Sequence, residues 1–163
     1  MRKIVILTIL IFVLEVLDNT MVPLFSIYGY IPSLLFIFVL CYSIINDRWS
    51  AVKVGLISGA LQDLFFINGF GVNTLLNMLI CVLAGEIGRN LFKEKRLMPV
   101  LSILLLTFLK EIFMLIILHA VHINMNIYAS IIVAIYSFVV AIFVYKPVYK
   151  LCRKPYMIKK WKF

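Results

Sequence analysis

The chain has 163 residues, 64% of them hydrophobic and only 14% charged, with a mean hydropathy of +1.10. An ordinary globular domain carries about 25% charged residues, so a soluble fold is excluded. The formal net charge of +9 would point to nucleic acid in a soluble protein; here the basic residues flank apolar segments instead. Each membrane span takes roughly 20 residues to cross about 30 Å of hydrocarbon, so this length holds one helical bundle with short loops and no extramembrane domain.

Six apolar stretches predict an all-α polytopic membrane protein, with spans at roughly 4–22, 31–46, 52–67, 72–88, 98–118 and 127–145. The first starts at Ile4 and continues past Asp18 toward Pro23. Several of the stretches are short, so bilayer thinning or snorkelling flanks must make up the difference. Span three carries Gly55, Gly59 and Asp63 at four-residue intervals. Such a stripe suits close approach of another helix, within the chain or in a dimer. The segment Asn68-Gly-Phe-Gly-Val-Asn73 predicts a tight turn in which Gly69 and Gly71 take positive φ. Asn73 and Asn77 then share a face of span four and are placed to hydrogen-bond toward span three. Lys110 and Glu111 fall near the middle of span five, and span six ends in a basic tail, 146–163.

All of the 16 Lys and Arg residues except Lys110 lie in alternate segments: at Arg2 and Lys3, at Arg48 and Lys53, from Arg89 to Arg96, and from Lys146 to Lys162. The opposite segments, Asp18 to Tyr30, Asn68 to Gly71 and His119 to Asn126, contain none. The positive-inside bias therefore places both termini in the cytoplasm. A cleaved signal peptide is disfavoured, because Glu-Val-Leu-Asp-Asn-Thr after the first apolar run offers no small-x-small site. The tail is expected to attract anionic lipid, at about 1 kcal/mol per basic residue near the surface, with Trp161 and Phe163 at the headgroups. A cytoplasmic protein docking on the tail is the alternative.

A charge at the bilayer centre costs about 2.5–3.5 kcal/mol on insertion scales, so ionisable residues inside spans must be paired, neutralised or turned inward. Glu15, Asp18, Asp63, Glu86, Lys110 and Glu111 are the residues in question. Lys110 and Glu111 are sequence neighbours and point about 100° apart on a helix, so Lys110 is expected to reach Asp63 or Glu15 on another helix. Three roles stay open: a structural ion pair, a proton relay or substrate counter-ion, and a polar handle for a partner's transmembrane helix. No catalytic set is present. Cys41, Cys81 and Cys152 are isolated, and His119 and His122 lack a third ligand, so neither a disulfide framework nor a metal site is expected. No phosphate-cradling loop or nucleophile–base pair occurs, so neither an enzyme nor a cofactor is expected.

Certain residues carry a family resemblance: Pro23-Leu24, Gly29-Tyr-Ile-Pro32, and above all Gly55-x-x-x-Gly59-Ala-Leu-Gln62-Asp63-Leu followed by Gly71-Val-Asn73-Thr74-Leu75. With Gly85 and the basic loop from Arg89, they resemble the MreD family, small membrane components of the bacterial rod-shape machinery. The resemblance runs over nearly the whole chain. Ser33 departs from it, because the family often has Asp after the span-two proline, and the Lys110–Glu111 pair is not part of the pattern.

The resemblance implies a non-enzymatic scaffold that works with the bitopic protein MreC, with MreB filaments, RodA and a penicillin-binding transpeptidase nearby. It makes Gly55, Gly59, Gln62, Asp63, Gly71 and Asn73 candidate partner-binding or structural residues, and their depth adds Lys110 and Glu111. The rival reading is a substrate-binding S component of an energy-coupling-factor vitamin transporter, also basic and six-spanned, whose bundle architecture is similar. Asp63, Asn68, Asn73 and Lys110 would then converge near the outer leaflet. Short external loops without a cluster of aromatic and polar groups count against it.

Overall fold

The computed structural model describes residues 2–26, 30–65, 71–90, 97–120, 127–154 and 157. They form six α-helices: α1 (Arg2–Thr20), α2 (Leu34–Ile45), α3 (Arg48–Phe65), α4 (Val72–Asn90), α5 (Leu97–Ala120) and α6 (Ile127–Cys152). A short 3-10 turn, Val22–Phe25, follows α1.

Local chemistry explains where these helices start and stop. Pro23 has no N–H to continue the α-helical ladder, so α1 ends before it and the chain passes through Met21 into the 3-10 turn. Pro32 disfavours helical backbone at Ile31, the residue before it. The second span was expected to begin at Ile31, yet α2 begins only at Leu34, where the Ser33 side chain accepts from the Phe36 N–H as N-cap. Helix α3 starts earlier than its apolar stretch. Asp47 accepts from the Ser50 hydroxyl at 2.7 Å, and the Asp47 carbonyl takes the Ala51 N–H at 3.0 Å, so Arg48 and Trp49 already belong to the helix. Helix α6 runs on through Pro147 to Cys152, so the first part of the expected tail is helical.

Helix α2 is the centre of the bundle. Every residue from Leu35 to Ile44 is buried, and a helix apolar on all sides is stable only when other elements surround it. It packs against α1, α3, α4, α5 and α6. At 12 residues it rises only about 18 Å, well under the thickness of the hydrocarbon layer. The other helices run longer around it, and α3 and α4 form the most extensive pair.

The bundle has two chemically different ends. At one, Asn46 Nδ2 lies 3.4 Å from Cys152 Sγ, Arg48 pairs with Glu86, and the Lys3 ammonium sits 5.7 Å from the Tyr42 ring centroid. The start of α1, the α2–α3 turn and the C-termini of α4 and α6 therefore meet there, each carrying basic residues. The other end gathers the C-termini of α1 and α3 with the N-termini of α2 and α4. There the Tyr136 hydroxyl also donates to the Phe25 carbonyl at 3.1 Å.

The exterior is apolar. Ile4, Ile9, Phe12 and Val16 of α1, Leu56 and Leu64 of α3, Leu105 and Ile116 of α5, and Ile135 and Phe143 of α6 all stand exposed. Soluble monomers rarely expose contiguous apolar patches beyond a few hundred Å², so this surface fits a hydrocarbon surrounding. Among the described residues, three helices are long and apolar enough to cross a membrane: Val72–Asn90, Leu97–Ala120 and Ser130–Cys152. Helices α1 and α3 have comparable lengths but carry Arg2, Lys3, Glu15 and Asp18, and Arg48, Lys53 and Asp63, respectively.

Candidate functional site

The predicted stripe on α3 faces α4. A Cβ built on Gly55 would lie 2.8 Å from the Asn77 carbonyl oxygen and 3.0 Å from Cys81 Cβ. One built on Gly59 would lie 2.6 Å from the Asn73 carbonyl oxygen and closer still to Thr74 Cα. Both glycines therefore serve close packing of α3 on α4 within the chain. Gly88, which the sequence reading passed over, does the same for α4 on α2. A Cβ there would meet the Ile44 backbone, 2.7 Å from its carbonyl carbon and nearer to the oxygen. Gly85 is roomier, with Ala51 Cβ at 3.4 Å. Spacing could have revealed Gly88, because Gly85 and Gly88 stand one turn apart on α4.

Asp63 is buried and accepts three hydrogen bonds from the start of α4: from the Asn73 N–H at 3.0 Å, the Thr74 N–H at 2.8 Å and the Thr74 hydroxyl at 2.5 Å. The first N–H groups of a helix have no partner inside it, and its N-terminus carries partial positive charge. A carboxylate near the C-terminus of α3 is badly placed for its own dipole and well placed for that of α4. Gly71 makes the approach possible with a φ of +96°, as expected for the turn, and its carbonyl accepts from the Leu75 N–H at 3.0 Å. Gly69 and Asn68 lie outside the described residues.

The same device closes the first hairpin. Asp18, near the end of α1, accepts from the Ser33 hydroxyl at 2.8 Å, the Leu34 N–H at 2.8 Å and the Leu35 N–H at 3.0 Å. The acidic group that the resemblance associates with the position of Ser33 is thus supplied here from α1. Sequence reasoning had noted Asp18 only as a charge near the end of a span; its spacing from Ser33 gives no local signal.

Gln62, next to Asp63 in the chain, joins the first cap to α4. Its Nε2 donates to Ser33 Oγ at 2.8 Å, and its Oε1 accepts from Asn77 Nδ2 at 2.8 Å. Asn77 Nδ2 also lies 3.5 Å from Ser58 Oγ. Ser33 is saturated, since its hydroxyl donates once and accepts from Phe36 N–H and Gln62. Side chains from α1, α2, α3 and α4 therefore form one polar chain inside an apolar bundle. Asn77 reaches α3 with its side chain, as predicted, whereas Asn73 does so with its backbone N–H.

Lys110 corrects an expectation. It is buried, but among the described residues no carboxylate oxygen lies within 4.0 Å of its ammonium, so the pairing with Asp63 or Glu15 is not made. The ammonium sits 4.0 Å above the Phe36 ring centroid, a cation–π arrangement. The physical reason is that Asp63 is committed to the start of α4. Glu15 is likewise engaged, on its own helix, by Asn19 Nδ2 at 3.1 Å. Glu111, the next residue, is only half-buried and lies on a different side of α5. Glu86 faces the opposite, basic end of the bundle, paired with Arg48 and with Arg89 at 3.5 Å. His119 is exposed; His122, Lys93 to Arg96 and the residues from Ile158 on, with Trp161 and Phe163, lie outside the described residues.

This arrangement offers hydrogen-bonded helix caps and close helix contacts. No group of three or more His, Cys, Asp or Glu suited to hold a metal occurs among the described residues. In comparisons with known proteins, no curated protein and no solved structure matches the chain, and the vitamin-transporter reading draws no support. A family match does cover residues 1–155, to the rod shape-determining protein MreD. The α3–α4 block whose packing is described above falls within those residues, and the chain belongs to the MreD family of rod shape-determining membrane proteins.

Proposed function

We propose that this protein is a non-enzymatic scaffold of the bacterial cell-elongation machinery. It spans the cytoplasmic membrane six times with both termini inside, and organises peptidoglycan synthesis through helix–helix contacts with an MreC-type bitopic partner. MreB, RodA and a penicillin-binding transpeptidase are reached through that partner, and the basic tail rests on anionic lipid. The observation that carries this reading is the family match across residues 1–155.

Two further features support it. Asp18, Ser33, Gln62, Asp63 and Asn77 are spent on capping helices and joining them to one another, which is what a rigid support requires. The apolar exterior presents helix faces on which a partner helix can pack. Gly55, Gly59, Gln62, Asp63, Gly71 and Asn73 then act by holding the α3–α4 hairpin in one shape, so their influence on a partner is indirect.

The test is depletion of the protein in its native bacterium, followed by microscopy, with growth on vitamin-limited medium scored in parallel. Cells are expected to round and widen regardless of vitamin supply. Normal rods with a growth defect cured by a vitamin would overturn the proposal.

A further inference from the structure

Glu111 differs from the other acidic residues at membrane depth. Asp18 and Asp63 cap helices, and Glu15 holds Asn19. Glu111 is half-buried on α5, and among the described residues its carboxylate makes neither a hydrogen bond nor an ion pair. The charge acting on it is that of Lys110, which is turned inward over Phe36. A carboxylate partly open to hydrocarbon without a donor is costly, and such residues mark sites where a partner is expected.

A groove lies on the same side of the bundle. Leu104, Leu105 and Phe108 of α5 and Ile131, Ala134 and Ile135 of α6 line a wholly apolar depression of ≈ 170 Å³. Leu104, Phe108 and Glu111 follow one another at i, i+4 and i+7, so they share a stripe of α5, and the carboxylate stands about one turn beyond the groove. Ala134 is small and buried, and small residues allow a foreign backbone to come close.

From this we infer that the α5–α6 groove is the docking surface for a single transmembrane helix of another protein, one that offers a hydrogen-bond donor to Glu111 about one turn beyond the side chains filling the groove. The inference rests on the scaffold reading and names the surface that reading leaves open. Charge complementarity selects the occupant. A lipid chain fills the groove but brings no donor. A second copy docking by a two-fold axis would set Glu111 against Glu111, which pair only once at least one of them is protonated, whereas a different chain that brings its own donor meets no such condition. The donor therefore comes from a different chain.

The experiment uses the full chain in its native bacterium, with a photo-crosslinking side chain at Leu105 or Ile135, and at Phe12 of α1 as a control on another exposed face. The Leu105 and Ile135 probes are expected to join the protein to the transmembrane segment of one single-span protein, with a donor side chain within about two turns of the cross-link. Glu111→Leu should lower the yield roughly 3- to 30-fold, the range of one interhelical hydrogen bond. Glu111→Gln, which keeps an acceptor, should lower it less.

Cross-links to a second copy, to lipid alone, or to a segment without a donor would overturn the inference. So would a yield indifferent to Glu111→Leu. Should that variant reduce the amount of protein in the membrane, removing the partner's donor gives the same readout, and an unchanged yield then decides against the groove. Cells that lose rod shape on depletion while the groove probes capture no helix would refute this surface and leave the scaffold function standing. Normal shape on depletion would do the reverse.

Discussion

Replacing Gly59 by alanine adds one methyl group where the structure has no room for it. The new carbon would lie 2.6 Å from the Asn73 carbonyl oxygen and 2.8 Å from its carbon, where ordinary contact begins near 3.4 Å. These are backbone atoms, so no rotamer change relieves the clash, and α3 and α4 must part by roughly 1 Å. Overpacking of this kind typically costs about 1–3 kcal/mol. Asp63 stands one turn further along α3, so the same movement stretches its three bonds to Asn73 and Thr74, each worth about 0.5–1.5 kcal/mol net. The expected loss is about 2–4 kcal/mol in all. Gly85→Ala is the internal control: its nearest neighbour would be Ala51 Cβ at 3.4 Å, and alanine favours helix by up to about 1 kcal/mol over glycine. The assay is unfolding in mixed micelles with increasing SDS, followed by helical circular dichroism. A Gly59→Ala midpoint equal to or above that of Gly85→Ala would refute the packing argument.

Asp63→Leu removes the acceptor for two backbone N–H groups and a hydroxyl, and a loss of about 2–4 kcal/mol is expected. Hydrogen exchange should show lost protection confined to Asn73 and Thr74, and unchanged protection there would count against the cap. Asp18→Leu should act likewise on Leu34 and Leu35, so equal protection in that variant and the parent would remove the parallel between the two hairpins. Lys110→Met keeps the volume and discards a buried charge with no ion pair among the described residues. Its stability should match or exceed that of the parent by up to about 1–4 kcal/mol, and an SDS midpoint clearly below the parent's would mean that the cation–π contact with Phe36 outweighs the cost of burying the charge. Arg48→Ala, at the exposed pair with Glu86, should leave the midpoint unchanged, because surface ion pairs contribute little.

The parts of the fold that could be read from sequence are those governed by regular spacing. Gly55, Gly59 and Asp63 recur every four residues, so a shared face was predictable, and so was the turn at Gly71, where positive φ demands glycine. Boundaries set by side chains rather than hydropathy were displaced. The cap at Ser33 delays α2, while α3 begins already at Arg48 beside the Asp47–Ser50 bond, and neither leaves a trace in apolar content. Long-range pairing was the least legible. Lys110 and Asp63 looked like natural partners by depth, but α4's unpaired N–H groups lie nearer to Asp63 in the chain and claim it first. Asp18 and Ser33 meet across the 3-10 turn and the segment after it, and no period connects them.

The two carboxylate caps also say something about how the bundle divides. In α1–α2 and in α3–α4, an aspartate two residues before the end of the first helix takes the opening N–H groups and a hydroxyl of the second. Gln62 then ties the first cap to α3 and α4 through Ser33 and Asn77. Four helices are thereby locked by directed bonds at one end, in surroundings where an unsatisfied N–H costs several kcal/mol. In α5 the position equivalent to those aspartates is Leu118, which has no polar group to offer α6. The α5–α6 pair therefore lacks that carboxylate cap, and it is also the pair that carries the groove and Glu111, whose carboxylate makes no hydrogen bond or ion pair among the described residues. A four-helix frame clamped by two carboxylate caps, beside a helix pair without one, suits the proposed scaffold, in which one helix face meets a partner while the rest keeps its shape.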